Sequence, residues 1–300
     1  MPKPRNPRMT KISIVITCYN KEQMIVDAII SAQQQSGVHE VVVVDDCSSD
    51  SSPAKIRQCQ GITVLVNEQN LGVSASTEIG VRHTQQHGAD YVILLDGDDV
   101  LAPNALEYYK HVLDHTGADA VYSTVLRGMT DCRPLATTCT LTHDIMVIDD
   151  PFDYYLKRIR ATTAVCARPH LMVKTFNRTL RVQDHQIAFS IFKNSNRVVI
   201  SDAITHYCSE GRGNANLSAD HLAVSSACVQ MYAETYQSTV SSRFYGSYVD
   251  RSLRRALRIR HTGVIPWKFN MFLQVVTPFK KLLPTALKHK IMMGIHRRLP

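Results

Sequence analysis

The stretch 91–100, YVILLDGDDV, ends an apolar run in three carboxylates within four positions. Asp96, Asp98 and Asp99 repel one another at that spacing unless positive charge sits among them. In an extended chain Asp96 and Asp98 share one face. Gly97 between them lets the backbone turn and lets a ligand come close. Oxygen donors of this kind suit Mg2+ or Mn2+, which take one or two protein carboxylates and complete their shell with phosphates. An EF-hand loop does not fit, because Val100 occupies the fifth loop position and no glycine occupies the sixth.

The elements that must position this cluster are short apolar, β-branched runs at 12–17 (ISIVIT), 41–44 (VVVV), 62–66 (ITVLV) and 91–95 (YVILL). Runs of that length, apolar on both faces, are expected as buried parallel strands. Helical pattern fills 22–35, 53–59, 73–87 and 103–116, with Pro53 and Pro103 where a first helical turn tolerates proline. The alternation predicts an α/β fold, a doubly wound, mostly parallel sheet flanked by helices. Ligands of such sheets bind beyond the carboxyl ends of the strands. There the chain is polar four times over: Thr17-Cys18-Tyr19-Asn20, Asp45-Asp46, Asn67 and Asp96-Gly97-Asp98-Asp99. Any one of these groups could be a cap or a turn. Together along one edge they point to a site. Beyond it, 119–125 (DAVYSTV) and 198–207 (VVISDAITHY) read as strands, and 219–236 as helical. Residues 181–192 (RVQDHQIAFSIF) place an acidic residue at the opening of a helix-like run. His206, near a strand end, is a candidate to complete a metal shell. Asp99 is read either as a cap for the helix near Pro103 or as a metal ligand through water.

With 44% hydrophobic and 20% charged residues over 300 positions, the chain is expected to be globular. Its eight cysteines form no C-x-x-C pair, which argues against a zinc or redox motif built on cysteine. The start, MPKPRNPRMTK, lacks an apolar segment typical of a signal peptide, and no apolar run reaches spanning length. A cytoplasmic setting is expected. Charge is uneven: 251–300 hold twelve Lys or Arg and no Asp or Glu, while 1–250 hold 22 basic and 26 acidic groups.

Five segments, in order, resemble family 2 glycosyltransferases of the GT-A fold, of the bacterial surface-polysaccharide type. ISIVITCYN is similar to that family's opening strand and its "V-x-x-Y-N" end, and EVVVVDDCSSDSS to "VVDDGSxDxS". NEQNLGVSAS is similar to "N-x-G-x-S-x-A", LLDGDD to the D-x-D motif, and VQDHQIA to the later "ED" element. The resemblance covers about residues 10–215, with a nucleotide-binding half at about 10–125 and an acceptor half at about 126–215. It implies Asp98 as metal ligand, Asp96 nearer the ribose and also near the metal, and Asp46 with Thr17 at the pyrimidine base. Tyr19 and Asn70 fall in the matching nucleotide-binding segments. Asp184 is implied as the catalytic base; its alternative is a helix N-cap. The departures are Cys47 where the family has Gly, Thr77-Glu78 where it often has Arg-Asn, and Gln183 where it has Glu.

The resemblance implies an inverting, Mn2+- or Mg2+-dependent transfer from a nucleotide sugar, UDP-linked by expectation, to a glycan or lipid-linked acceptor. A sugar-nucleotide pyrophosphorylase would need a Gly-rich basic loop after the first strand, which TCYNKEQM does not supply. A non-catalytic scaffold keeping the fold is the other alternative. The catalytic domain is expected over 1–235 and a basic amphipathic tail over 236–300. In that tail Pro266, Pro278 and Pro284 break the helical pattern, and basic residues alternate with Trp267, Phe269, Met271, Phe272 and Phe279. Such a segment suits an anionic membrane surface at the inner face of the cell membrane; the alternative is a helical cap on the domain. No nucleic-acid module accompanies the charge, and none is expected as a partner.

Overall fold

A computed structural model describes residues 10–129, 139–157, 164–173, 183–209, 226, 229–235, 239, 241–257, 271–274, 277–280 and 282–297. Trp267 and Phe269 of the tail lie outside them, as does most of the 219–236 segment read as helical.

The four apolar runs form β1 (Ile12–Cys18), β2 (Val41–Asp45), β3 (Thr63–Val66) and β4 (Tyr91–Asp96), all mutually parallel. Residues Ile12–Ile16 and Val41–Val44 are buried on both faces because helices cover both sides of the sheet. These helices are α1 (Ile25–Gln33), α2 (Ser52–Gln58), α3 (Val73–Gln86) and α4 (Ala105–Thr116). The second half adds β5 (Asp99–Leu101), β6 (Ala120–Met129), β7 (Ile145–Ile148), β8 (Val165–Ala167) and β9 (Val198–Ser209). It also carries α5 (Pro151–Lys157), α6 (Pro169–Met172) and α7 (Gln183–Asn194). Sheet order is β3-β2-β1-β4-β8-β6-β9-β5, with β7 paired to β9. Strands β8, β5 and β7 run antiparallel to their neighbours, so the sheet is mixed but mostly parallel.

The register brings the strand ends level. Thr17 lies opposite both Val44 and Asp96, Cys18 opposite Asp45, and Asp45 opposite Val66. The edge expected to carry chemistry is therefore one continuous rim.

The tail is partly core. Helices α8 (Tyr245–Ala256) and α9 (Thr285–His296) pack on each other, and α8 also packs on α5. Tyr248, Val249, Leu253, Ile291, Met292 and Ile295 belong to the same buried cluster as Tyr155, Phe189 and Phe192. Lys288, itself 5% exposed, fastens the two helices through Asp250 at 2.6 Å. In their described parts these segments cap the domain, because their apolar stripes are already spent on protein.

Candidate active site

Tight turns set the rim. Gly97 N donates to Thr17 O at 2.9 Å, Asp46 N to Cys18 O at 2.8 Å, and Asn67 N to Asp45 O at 2.9 Å. The ladder thus continues one residue past each strand and fixes the direction in which the acidic groups leave the sheet. Gly97 is needed for a closer reason than ligand access: a Cβ there would stand 2.8 Å from Thr17 O and 3.3 Å from Ile25 Cδ1. Backbone cannot yield as a flexible side chain can. Gly97→Ala is expected to cost about 1–3 kcal/mol and to misplace both flanking carboxylates. Thermal melts and nucleotide titration of that variant check this; unchanged stability and binding would contradict it.

Asp96, Asp98 and Asp99 leave the end of β4 in three different environments. Asp99 is 2% exposed and lies in β5 opposite Cys208, so it neither caps α4 nor faces open solvent. The α4 N-cap is Asn104, in the left-handed conformation. Asp98 is half-buried and meets the Lys21 ammonium at 2.5 Å. Burial first, then the charges of Asp99 and Asp98, push the Asp96 carboxyl well above the usual carboxylate range. Burial likewise raises Asp99, with Asp98 adding to the rise and Arg127 and Lys21 opposing it. The cluster is short of positive charge, as its spacing implied.

Lys21 is the residue that sequence reasoning missed. Two loops laced together place it. Asn20, at φ 53°, donates its N–H to Ser48 Oγ, and Asn20 Oδ1 accepts from Ser49 N. Lys21 N donates to Ser52 Oγ, Glu22 N to Asp50 Oδ2, and Ser51 N to Glu22 Oε2, all at 2.9–3.0 Å. The turn after β1 is thereby fastened to the turn after β2. Cys47 in that second turn has φ 61°, the conformation a glycine adopts without steric cost. The family's glycine position is thus kept in shape although the residue differs.

Asp46 is 3% exposed, and its carboxylate accepts three hydrogen bonds of 2.8 Å. The donors are Asn67 Nδ2 and Leu71 N, both to Oδ1, and Gly72 N, to Oδ2. It holds the loop that leads into α3, a role the sequence did not show. An ionised carboxylate offers about four acceptor sites, which leaves one on Oδ2. Thr17 is half-buried beside Asp96, Tyr19 is 45% exposed immediately after β1, and Asn70 is exposed, with its Oδ1 accepting from Gly72 N. Glu78, where the family often has a polar amide, is bound to Arg82 at 2.7 Å.

Asp184 lies in the first turn of α7, half-buried, and its Oδ1 accepts from His185 N at 2.9 Å. After burial, its charge adds to the rise of the Asp96 carboxyl and of the buried Tyr122 hydroxyl, so it acts on the same acidic cluster. His185 is 8% exposed on the same helix turn. His206 is different. It is fully buried, with Nε2 3.0 Å from Leu94 O and Nδ1 2.8 Å from Thr205 Oγ1. A carbonyl only accepts, so Nε2 carries the proton and Nδ1 accepts from Thr205. Burial pushes the ring's pKa down to about 4. Both nitrogens are engaged inside the sheet, and neither is offered to a cation.

The donor set fits a hard divalent cation: it is all oxygen, crowded with like charge, and met by one ammonium at Asp98. The sequence profile described as "Glycosyl transferase family 2" matches residues 13–183. The chain is 31% identical over 121 residues to the succinoglycan biosynthesis protein ExoO of Rhizobium meliloti, covering 39% of this chain and 34% of that protein. It is 31% identical over 101 residues to the putative teichuronic acid biosynthesis glycosyltransferase TuaG of Bacillus subtilis, covering 32% and 39%. The matches span only about a third of these relatives' own length. Among solved structures, S. aureus TarS 1–349 in complex with UDP-GlcNAc superposes at TM-score 0.56 with 14% identity, over 96% of this chain and 91% of that one. The mannosyltransferase PcManGT from Pyrobaculum calidifontis, in complex with GDP-Man and Mn2+, superposes at 0.52 with 14% identity, over 97% and 86%. At that identity the structures establish a shared fold.

Proposed function

The chain belongs to glycosyl transferase family 2, and from that premise we propose that it is an inverting, divalent-cation-dependent glycosyltransferase. It moves a sugar from a nucleoside diphosphate sugar, UDP-linked in the first instance, to a hydroxyl of a glycan or lipid-linked acceptor in surface-polysaccharide synthesis. The observation that carries this reading is the trio Asp96, Asp98 and Asp99 gathered beyond β4, with the charge of Asp184, at the start of α7, adding to the rise of Asp96.

Asp98 and Asp96 would hold the cation, Mn2+ or Mg2+, which would supply positive charge against the leaving diphosphate. Every other role belongs to the chain itself. Lys21 supplies a fixed positive charge at the same rim, set by the laced turns. The remaining acceptor site of Asp46 takes an N–H of the base, with Thr17 beside it. Tyr19 and Asn70 give exposed polar and aromatic surface for the nucleoside. Asp184 accepts the proton of the acceptor hydroxyl as it attacks the anomeric carbon. One base on one face and the leaving group on the other give inversion. The test is to incubate the chain and Mn2+ with UDP-GlcNAc, UDP-glucose or GDP-mannose and a panel of oligosaccharide acceptors, reading product configuration by proton NMR. Products of inverted configuration are expected. Retained configuration would overturn the mechanism, and no consumption of any donor would overturn the transfer itself.

The tail's remaining apolar surface supports peripheral docking on an anionic membrane, at the inner face of the cell membrane. Met271, Phe272, Phe279 and Leu282 are 42–81% exposed, in a segment with twelve basic and no acidic residues over 251–300. Among the described residues no helix is long and apolar enough to cross a membrane. Deleting the segment would also strip the core of Ile291 and Ile295, so point changes are the cleaner probe. The double variant Phe279→Ser, Leu282→Ser is expected to lose pelleting with anionic vesicles, and pelleting equal to the native chain would refute the docking.

A further inference from the structure

We infer that Glu40, His83 and His87 form a second metal site, selective for Zn2+, at the end of α3 remote from the acidic cluster. Glu40 immediately precedes β2, at the amino edge of the sheet, whereas the catalytic rim lies at the carboxyl edge. His83 and His87 are four residues apart at the last turn and C-cap of α3, so both rings fall on one face.

The three side chains converge. One ligand atom from each lies within 4.8 Å of the others. Around a tetrahedral zinc with bonds near 2.05 Å, ligand atoms stand about 3.4 Å apart. Closing from the observed spacing takes at most about 1.4 Å of side-chain movement on that scale, and His87 is exposed and Glu40 and His83 only partly buried. The rings of His83 and His87 stack at 3.9 Å and 22°, which keeps the two imidazoles side by side.

Local bonds prepare His87 and Glu40, and His83 already meets Glu40. His87 Nδ1 is 2.8 Å from His83 O. A carbonyl only accepts, so Nδ1 carries the proton and the lone pair is left on Nε2, the arrangement a metal-binding histidine needs. Glu40 Oε1 accepts from Thr63 Oγ1 at 2.8 Å and lies 3.0 Å from His83 Nε2. Glu40 Oε2 is buried and meets no hydrogen-bond donor among the described residues. A buried carboxylate oxygen without a donor is costly, and a cation between it and the two rings removes that cost. His39 Nε2, 3.2 Å from His87 O, steadies the helix end.

The donor chemistry separates this site from the catalytic one. Two imidazoles and one carboxylate favour Zn2+ over Mg2+ or Mn2+, which prefer all-oxygen sites such as Asp96 and Asp98. Water completes a four-coordinate shell on the exposed His87 side. The ion would clip the start of β2 and, through Thr63, β3 to the far end of the helix whose leading loop is held by Asp46. Its role is to brace the nucleotide-binding half.

The test is calorimetric titration of Zn2+ into the full chain, the His87→Ala and His83→Ala variants, and Asp98→Ala as a control for the acidic cluster. The native chain is expected to take up one Zn2+ that survives in Asp98→Ala and is lost in both histidine variants. Saturating Zn2+ should raise Tm by roughly 5 °C in the native chain and in Asp98→Ala, and not in His87→Ala. Co2+ bound at the same site should give the intense visible absorption of a four-coordinate nitrogen and oxygen shell. UDP binding with Mg2+, unchanged in His87→Ala, shows that the variant is folded. Equal Zn2+ stoichiometry and affinity in the native chain and His87→Ala, or no Zn2+ uptake in the native chain, would overturn the inference.

Discussion

Asp184→Asn is expected to lower the rate of sugar transfer about 10²–10⁴-fold and to leave donor binding within about twofold. The reason is local. Asp184 Oδ1 accepts the N–H of His185 in the first turn of α7, and an asparagine oxygen can accept the same bond. The substitution therefore preserves the helix start and removes the ability to take a proton. It also removes a negative charge that now raises Asp96, which favours the ionised, cation-binding form of that neighbour. Single-turnover transfer and donor affinity, measured on the same preparation, separate the two effects. A variant with the native rate would show that another group takes the proton. A variant that loses donor affinity in parallel with rate would move Asp184 from the acceptor to the donor side.

Asp98→Ala carries the second large effect. Losing a group that only supports a metal ligand typically costs 10–100-fold in metal affinity, so losing a direct carboxylate ligand is expected to weaken cation-dependent nucleotide binding by at least about 100-fold. Stability should move differently. The change removes a like charge that raises both Asp96 and Asp99. It also frees Lys21, a partly exposed ion pair whose loss costs little. The folded chain without cation is therefore expected to melt at an unchanged or higher temperature while its nucleotide binding collapses. A drop in both together would mean that Asp98 holds the turn rather than the ion. Metal-dependent binding that persists would place the cation elsewhere.

The parts legible in sequence were those written in contiguous residues. Apolar runs too short for helices gave β1 to β4 within a residue or two, because strands buried on both faces tolerate few other residue types. The rim followed from a general rule of parallel sheets applied to what comes after each run. The parts that were not legible depend on distant pairing. β5 starts at the last carboxylate of DGDD and is a strand only because β9 returns beside it; that pairing removes the capping role, one of the two read for Asp99. β8 is three residues long and owes its strand to β4 and β6 on either side. Lys21 sits in a turn with no pattern of its own, and five loop hydrogen bonds decide where its ammonium goes. His206 shows the reverse error: a histidine near a strand end resembles a ligand in sequence, yet both its nitrogens are consumed by Leu94 and Thr205. In the tail, apolar residues between basic ones fit a membrane face and a helical cap equally well. Tyr248, Leu253, Ile291 and Ile295 went to the core, whereas Phe279 and Leu282 did not.

On this reading the carboxylates beyond β4 bind a nucleoside diphosphate through a divalent cation. Calorimetric titration of UDP into the native chain, once with Mn2+ and once with EDTA, tests it most directly. Saturable 1:1 binding with Mn2+ is expected, weakened at least about 100-fold when the ion is removed. Equal affinity in both conditions, or no binding of UDP, GDP or dTDP in either, would contradict it.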